Sequence, residues 1–202
     1  MLWYPFKGEP HGGRGELYPH EKCLTFNNSN MTKQQTNFQF TSSGNHDECY
    51  TPDYVVEAIV PFIPKDKIIW CPFDKEWSPF VRVLQSQDYT VTYSHQDFGQ
   101  NFYNYEPAHW DIMVSNPPFT GKRQIFERAL SFNKPFGLLM TVSWLQDAAP
   151  KQLFAEKDLQ LFMFKDRVKY LDGDGNIIGD KVNFASAFFC WSLLPKQIMM
   201  TS

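Results

Sequence analysis

An α/β fold with a mixed, mostly parallel sheet and a C-terminal antiparallel hairpin is predicted for residues 46–202. Three observations predict it. Short apolar runs alternate with segments of helical spacing, the grammar of a parallel sheet covered by helices. One of these runs ends abruptly in a double-proline turn. Near the C-terminus, two apolar arms flank a Gly- and Asp-rich turn, which reads as a hairpin and hence a mixed sheet edge.

The elements follow in order. Thr51-Pro52 before Tyr54, Val55, Ala58, Ile59 and Phe62 predicts an N-capped helix with Pro at its first position, ended by Pro64. Lys67–Cys71 is a short buried strand, 78–87 a short helix with apolar positions 80, 81, 83 and 84, and Thr90–Tyr93 a second strand. Asp111–Ser115 is a third strand, 122–132 a helix, Phe136–Val142 a fourth strand, 150–156 a helix and Leu159–Phe164 a fifth strand. Lys169–Phe189 is the expected hairpin around Asp172–Asn176. That run resembles a calcium loop but lacks the downstream Glu, so it reads as a turn. Residues 1–45 are polar, lack sustained periodicity and read as a flexible N-terminal arm or extension.

Composition narrows the function classes. The chain of 202 residues carries a net charge of −3, without the basic excess of a strong non-specific duplex binder, so nucleic-acid contact has to come from a local patch. The 4 cysteines stand apart, with no CxxC, which argues against a disulfide framework and structural zinc. No apolar run reaches about 18 residues and no signal peptide is apparent. A soluble, cytoplasmic protein is expected, with no membrane and no metal. Aromatics make up 17% of the chain; a Phe-rich core accounts for most of them, with interfaces or base stacking as a further use.

Ligands on parallel sheets sit outside the carboxyl ends of the strands. The loops 71–79, 94–102 and 115–121 are therefore expected to converge on one crevice. Asn116-Pro117-Pro118-Phe119 is the sharpest signal there, a tetrad that arises by chance in roughly one chain per thousand of this length. Its residue types suit a planar amino group, a poor nucleophile whose lone pair is delocalised into a ring. The Asn116 side-chain oxygen and the Pro117 carbonyl supply two acceptors for its N–H bonds. The prolines fix φ and keep the loop in shape, and Phe119 offers a face for stacking. The bland reading is a structural turn with Phe119 in the core. Lys122 and Arg123, with Arg128, form a small basic cluster just beyond, read either as phosphate contacts or as a solvated helix face. His46, His95 and His109 read as solvated or capping residues, and Trp144 as core.

With these residues in view, the segment 49–196 resembles adenine-N6 DNA methyltransferases of the amino-methyltransferase superfamily, small phage-encoded ones in particular. The resemblance rests on Asn116–Phe119, on Tyr50-Thr51-Pro52 before the first strand, and on the late hairpin. It implies a Rossmann-like fold, S-adenosylmethionine (SAM) as methyl donor, a flipped adenine in DNA held by Asn116–Phe119, and a location in the host cytoplasm. Tyr50, Thr51 and Pro52 would then lie against the donor. The family's Gly-rich turn after the first strand is replaced by Cys71-Pro-Phe-Asp-Lys-Glu-Trp-Ser78, leaving Pro72, Phe73 and Asp74 for the donor. The acidic residue at the end of the second strand is replaced by Ser94-His95, with Asp97 as substitute, and Phe102 stands where an aromatic brackets the donor's adenine. Two alternatives remain open. One is a methyltransferase for RNA adenine or a protein glutamine amide; the other is a catalytically inactive relative that binds nucleic acid or a host protein.

Overall fold

A computed structural model describes residues 50–172, 174–178 and 184–201. The expected arm 1–45 lies outside these, as do Cys23, Cys49, His46 and, in the hairpin, Gly173, Gly179 and Asp180.

The described chain runs α1 (Asp53–Ile59), β1 (Ile68–Cys71), α2 (Pro79–Ser86), β2 (Thr90–Tyr93), β3 (Ile112–Ser115), α3 (Lys122–Ser131), β4 (Phe136–Thr141), α4 (Ala148–Leu153), β5 (Gln160–Met163), β6 (Ser186–Trp191) and β7 (Ile198–Met200). Short 3-10 turns at Val60–Phe62, Gln96–Phe98 and Val142–Gln146 complete it. The seven strands form one sheet in the order β2-β1-β3-β4-β6-β5-β7. Pairs β1–β2, β1–β3, β3–β4 and β5–β7 are parallel, whereas β6 runs antiparallel to both β4 and β5. The chain is thus α/β with a mixed sheet whose antiparallel part is C-terminal.

Central strands β3 and β4 are buried throughout and β6 nearly so, which is why they read as unbroken apolar runs, while edge strands β2 and β7 are partly exposed. Alternation along each strand divides the core between two faces. Ile69, Cys71, Val114, Phe188 and Cys190 pack with Val55, Ile59, Phe80 and Leu84 of α1 and α2. Trp70, Met113, Phe136, Leu138 and Phe189 pack with Ile125, Phe126 and Ala129 of α3 and with Trp144. Trp144 is core, its ring 4.4 Å from that of Phe126.

The structure corrects three expectations. The expected turn at Asp172–Asn176 is closed by an isolated antiparallel bridge of Leu171 with Ile177, but its first arm joins no sheet strand, Leu171 bridging to Tyr50 instead. The sheet's antiparallel strand is β6, inserted between β4 and β5: its side chains enter the core on both faces of the sheet, and a strand buried in that way needs a hydrogen-bonding partner on each backbone edge. Second, β7 closes one sheet edge although Ile198–Met200 carries too short an apolar signal to be read as a strand. Third, Pro52 is the N-cap of α1, not its first residue, and Thr51 makes no cap; its hydroxyl is engaged elsewhere. No helix among the described residues is long and apolar enough to cross a membrane.

Candidate active site

The sheet order puts β2 on one side of β1 and β3 on the other, so the chain reverses its winding between β1 and β3. Loops leaving the carboxyl ends of such a strand pair diverge to opposite faces and leave a crevice. Cys71–Ser78 follows β1 and Asn116–Gly121 follows β3. Asp74, at 7% exposure, joins the two: its carboxylate accepts hydrogen bonds from the Ser78 and Ser115 hydroxyls. Ser115 is the last residue of β3 and fully buried, so its hydroxyl requires a partner across the crevice.

The β2 loop enters through a second set of contacts. The Trp70 indole donates to the Ser94 hydroxyl at 2.9 Å. Lys75 pairs with Asp97 at 2.8 Å, and this ammonium holds the Asp97 carboxyl below its usual range. The Asp97 backbone N–H donates to His95 Nδ1 at 3.1 Å, a capping role for a loop-end histidine. Gly121 has φ +67°, and a Cβ there would come within 2.8 Å of the Tyr103 hydroxyl, so this position favours glycine twice over. Burial raises the Tyr103 phenol's pKa. The three loops expected to converge therefore do meet.

The N-terminal side is drawn in by Thr51. Asn116 Nδ2 donates to Thr51 Oγ1 at 3.1 Å, tying the Tyr50-Thr51-Pro52 segment to the prolyl loop. Tyr50 is anchored in turn by backbone hydrogen bonds with Leu171, 2.7 and 3.0 Å. The Ser78 hydroxyl, at the N-cap position of α2, is directed into the crevice and forgoes roughly 1 kcal/mol of capping, and the Thr51 hydroxyl, one residue before the α1 N-cap, turns the same way. Tyr50, Thr51, Trp77, Pro79, Arg82 and Asp172 are among the residues lining a cleft of about 200 Å³ beside this strap. Asn116 and Phe119 lie outside its lining, and Asn116 adjoins it through Thr51.

The prolyl loop itself departs from the simplest expectation. Asn116 is half-buried, and its Oδ1 is enclosed and has no hydrogen-bond partner among the described residues. An enclosed acceptor of this kind is costly unless something donates to it, by about 1–3 kcal/mol. Pro117 is buried, Pro118 exposed, and Phe119 half-buried with its ring 5.6 Å from Phe184 in an edge-on contact. The stacking face expected of Phe119 is thus partly covered.

Other candidates fall as follows. Pro72 is buried and Phe73 half-buried, its ring 4.7 Å from that of Phe102. Phe102 is only 3% exposed, between Phe73 and Trp70 with the Arg128 guanidinium also over its ring, so it supports the crevice from below and offers no face for a ligand ring. Asp97 is half-exposed and committed to Lys75. The basic cluster is dispersed. Arg123 donates to Glu127 and Gln152, both at 2.8 Å, bracing α3 against α4. Arg128 folds over the Phe132 ring and donates to the Tyr105 carbonyl. Lys122 alone of the three makes no hydrogen bond or ion pair among the described residues, and partial burial lowers its pKa. Among the described residues no three His, Cys, Asp or Glu side chains come together as metal ligands.

Sequence reasoning missed Ser115, Ser78 as partner of Asp74, the Trp70–Ser94 pair and Tyr103. The signal for Ser115 was present: a hydroxyl closing an otherwise apolar strand must find a partner at the strand's end. The chain matches no protein-family model and no curated protein sequence.

Proposed function

We propose that this chain is a SAM-dependent methyltransferase of Rossmann-like fold, acting on the exocyclic N6 amine of adenine in DNA. The observation that carries the reading is Asn116: a carboxamide on a double-proline turn at the carboxyl end of β3, its nitrogen held by Thr51 and its enclosed oxygen without a partner. Fixing the nitrogen orients the oxygen, which is enclosed here and becomes an acceptor for an N–H donor when the prolyl loop shifts to uncover it. A base amine supplies that donor, and the Pro117 carbonyl takes its second N–H. Drawing both N–H bonds toward oxygen acceptors favours rehybridisation of the amine toward a nucleophilic nitrogen. Phe119 supports the base once its contact with Phe184 opens.

The crevice fits a cationic nucleoside better than a nucleotide. Asp74 places a buried carboxylate at the switch point, and the β1 turn has no glycine-rich backbone to cradle a phosphate. A pyrophosphate there would meet like charge, whereas a sulfonium and an ammonium would not. Tyr50, Thr51, Pro52, Pro72, Phe73 and Asp74 are the residues that would hold SAM. When bound, SAM supplies an electrophilic methyl group. Asp97, already paired with Lys75, would contribute through its remaining lone pairs.

Tritium transfer from SAM to methylation-free DNA, followed by nucleoside analysis, tests the reading. Label on adenine that falls at least a hundredfold in Asn116→Ala is expected. No label from the parent chain on DNA overturns it. One observation favours a second reading, a non-catalytic binder: Asp74 is closed onto Ser78 and Ser115, so the β1 turn is already filled from within. Calorimetry separates the two, since heat on titration with SAM supports the enzyme and none at high micromolar ligand supports the binder. The RNA-adenine and glutamine-amide alternatives share the Asn116 chemistry and differ only in the acceptor tested.

A further inference from the structure

Three large aromatic rings stand exposed on the loops that leave β1 and β2. Trp77 is 46% exposed, Phe98 56% and Tyr103 48%. Leaving such rings in water forgoes hydrophobic stabilisation, and several on loops that leave the same edge of two adjacent parallel strands mark a rim that something covers. None hangs loose. Trp77 rests on Tyr50 with centroids 5.7 Å apart, Phe98 on His95 at 6.1 Å, and Tyr103 on Phe102 at 5.9 Å. The loops are also tied to one another by Lys75–Asp97 and by the approach of the Tyr103 hydroxyl to Gly121, next to the prolyl loop. Each ring is thus held from beneath.

Charge identifies what fits. Around this rim Lys75 is paired with Asp97 and Arg82 with Asp53, and Arg123 and Arg128 are engaged within their own side of the fold, which leaves Lys122, just beyond the prolyl loop, as a cation with no hydrogen bond or ion pair among the described residues. The whole chain is acidic, at −3. A duplex presents phosphates outward and keeps its bases stacked inside, so it binds through free cations. An unpaired strand presents base faces, and rings bind these with little dependence on sequence.

We infer that Trp77, Phe98 and Tyr103 form a stacking platform for an unpaired nucleic-acid strand, which brings a base to the Asn116–Phe119 loop. The inference rests on the base-binding reading of that loop and adds the form of the substrate. Its target base needs no extraction from a duplex, which removes an unstacking cost that a rim whose described cations are mostly paired is ill equipped to offset.

The test is fluorescence anisotropy of the full chain with labelled oligonucleotides: single-stranded DNA, single-stranded RNA and duplex DNA of one sequence. At least tenfold tighter binding of a single strand than of the duplex is expected, the DNA and RNA arms identifying the source. Trp77→Ala, Phe98→Ala and Tyr103→Ala each weaken it about tenfold, within the range for loss of one stacked base, and Trp77→Phe restores most of the loss. With one or two phosphates engaged, log K against log salt has a slope of about −0.7 to −1.4. Equal or tighter duplex binding, ring variants that bind like the parent, or a slope steeper than about −3 overturns the inference. So does a concentration-dependent dimer that the ring substitutions abolish without any strand binding. Asn116→Ala keeps the two readings apart: it is expected to lose methylation, while whatever strand binding it keeps still depends on Trp77, Phe98 and Tyr103. Strand binding that depends on the rings, in a chain that never methylates, would sink the enzyme and leave the platform. Methylation of duplex without ring dependence would do the reverse.

Discussion

Removing the Ser115 hydroxyl probes the join between the two crevice loops. Ser115 is fully buried and donates to Asp74, itself at 7% exposure, so in Ser115→Ala neither water nor a neighbouring side chain readily replaces the bond. A hydrogen bond to a charged group contributes about 1.5–3 kcal/mol, and the alanine leaves little cavity because only one oxygen is lost. The expected destabilisation is therefore about 2 kcal/mol. At about 2–4 °C per kcal/mol for a chain of this size, Tm falls by roughly 4–8 °C. Urea unfolding followed by circular dichroism and by tryptophan fluorescence measures it, with an unchanged m-value showing that only stability moved. Ser131→Ala is the control: that hydroxyl bonds the Arg128 carbonyl on an exposed helix face, and its loss should stay within about 0.5 kcal/mol. Because Ser78 and Ser115 donate to the two oxygens of one carboxylate, the double variant should deviate from additivity by more than about 0.5 kcal/mol. A Ser115→Ala chain as stable as the Ser131→Ala control would refute the reasoning, since the carboxylate would then not be holding the loops together.

Thr51→Val keeps the shape of the strap but deletes the acceptor for Asn116 Nδ2; stability should fall by about 1 kcal/mol, and methylation should drop at least tenfold as the carboxamide is released to rotate. An unchanged rate of label transfer would show that the Thr51 bond does not orient Asn116. Lys122 has its pKa lowered mainly by burial, so the folded state binds fewer protons than the unfolded one and becomes less stable as pH falls through the folded pKa. Lys122→Met should accordingly raise Tm at pH 7, with the gain shrinking toward zero above pH ~10.4, as scanning calorimetry across pH will show. Burial raises the pKa of the Cys71 and Cys190 thiols, and neither is in contact with solvent, so mass mapping after treatment with a thiol reagent should find both unmodified in the native chain and modified in urea.

Much of this molecule is legible from residue order alone. Buried parallel strands announce themselves as short apolar runs, and Ile68–Cys71, Thr90–Tyr93, Ile112–Ser115 and Phe136–Thr141 lie where those runs are. Periodicity likewise places α2 and α3, and the carboxyl-end rule brings the loops after β1, β2 and β3 together, because strand direction decides which ends share a side. The composition of the prolyl turn singles it out before any coordinate does. What sequence could not give is which of several polar groups find one another. Thr51 and Ser78 have the local form of helix caps, yet both turn toward the crevice, where Asn116 and Asp74 sit 65 and 4 residues away along the chain. Arg123 and Arg128 look like a phosphate patch and are instead taken up by Gln152, Glu127 and a layer of rings. β6 lies between β4 and β5 because a buried strand needs a backbone partner on each edge, and no local pattern encodes which strands supply them. Local propensity acts over a few residues, and those set the elements. Partner choice among donors, acceptors and cations depends on burial, which exists only once distant segments have packed.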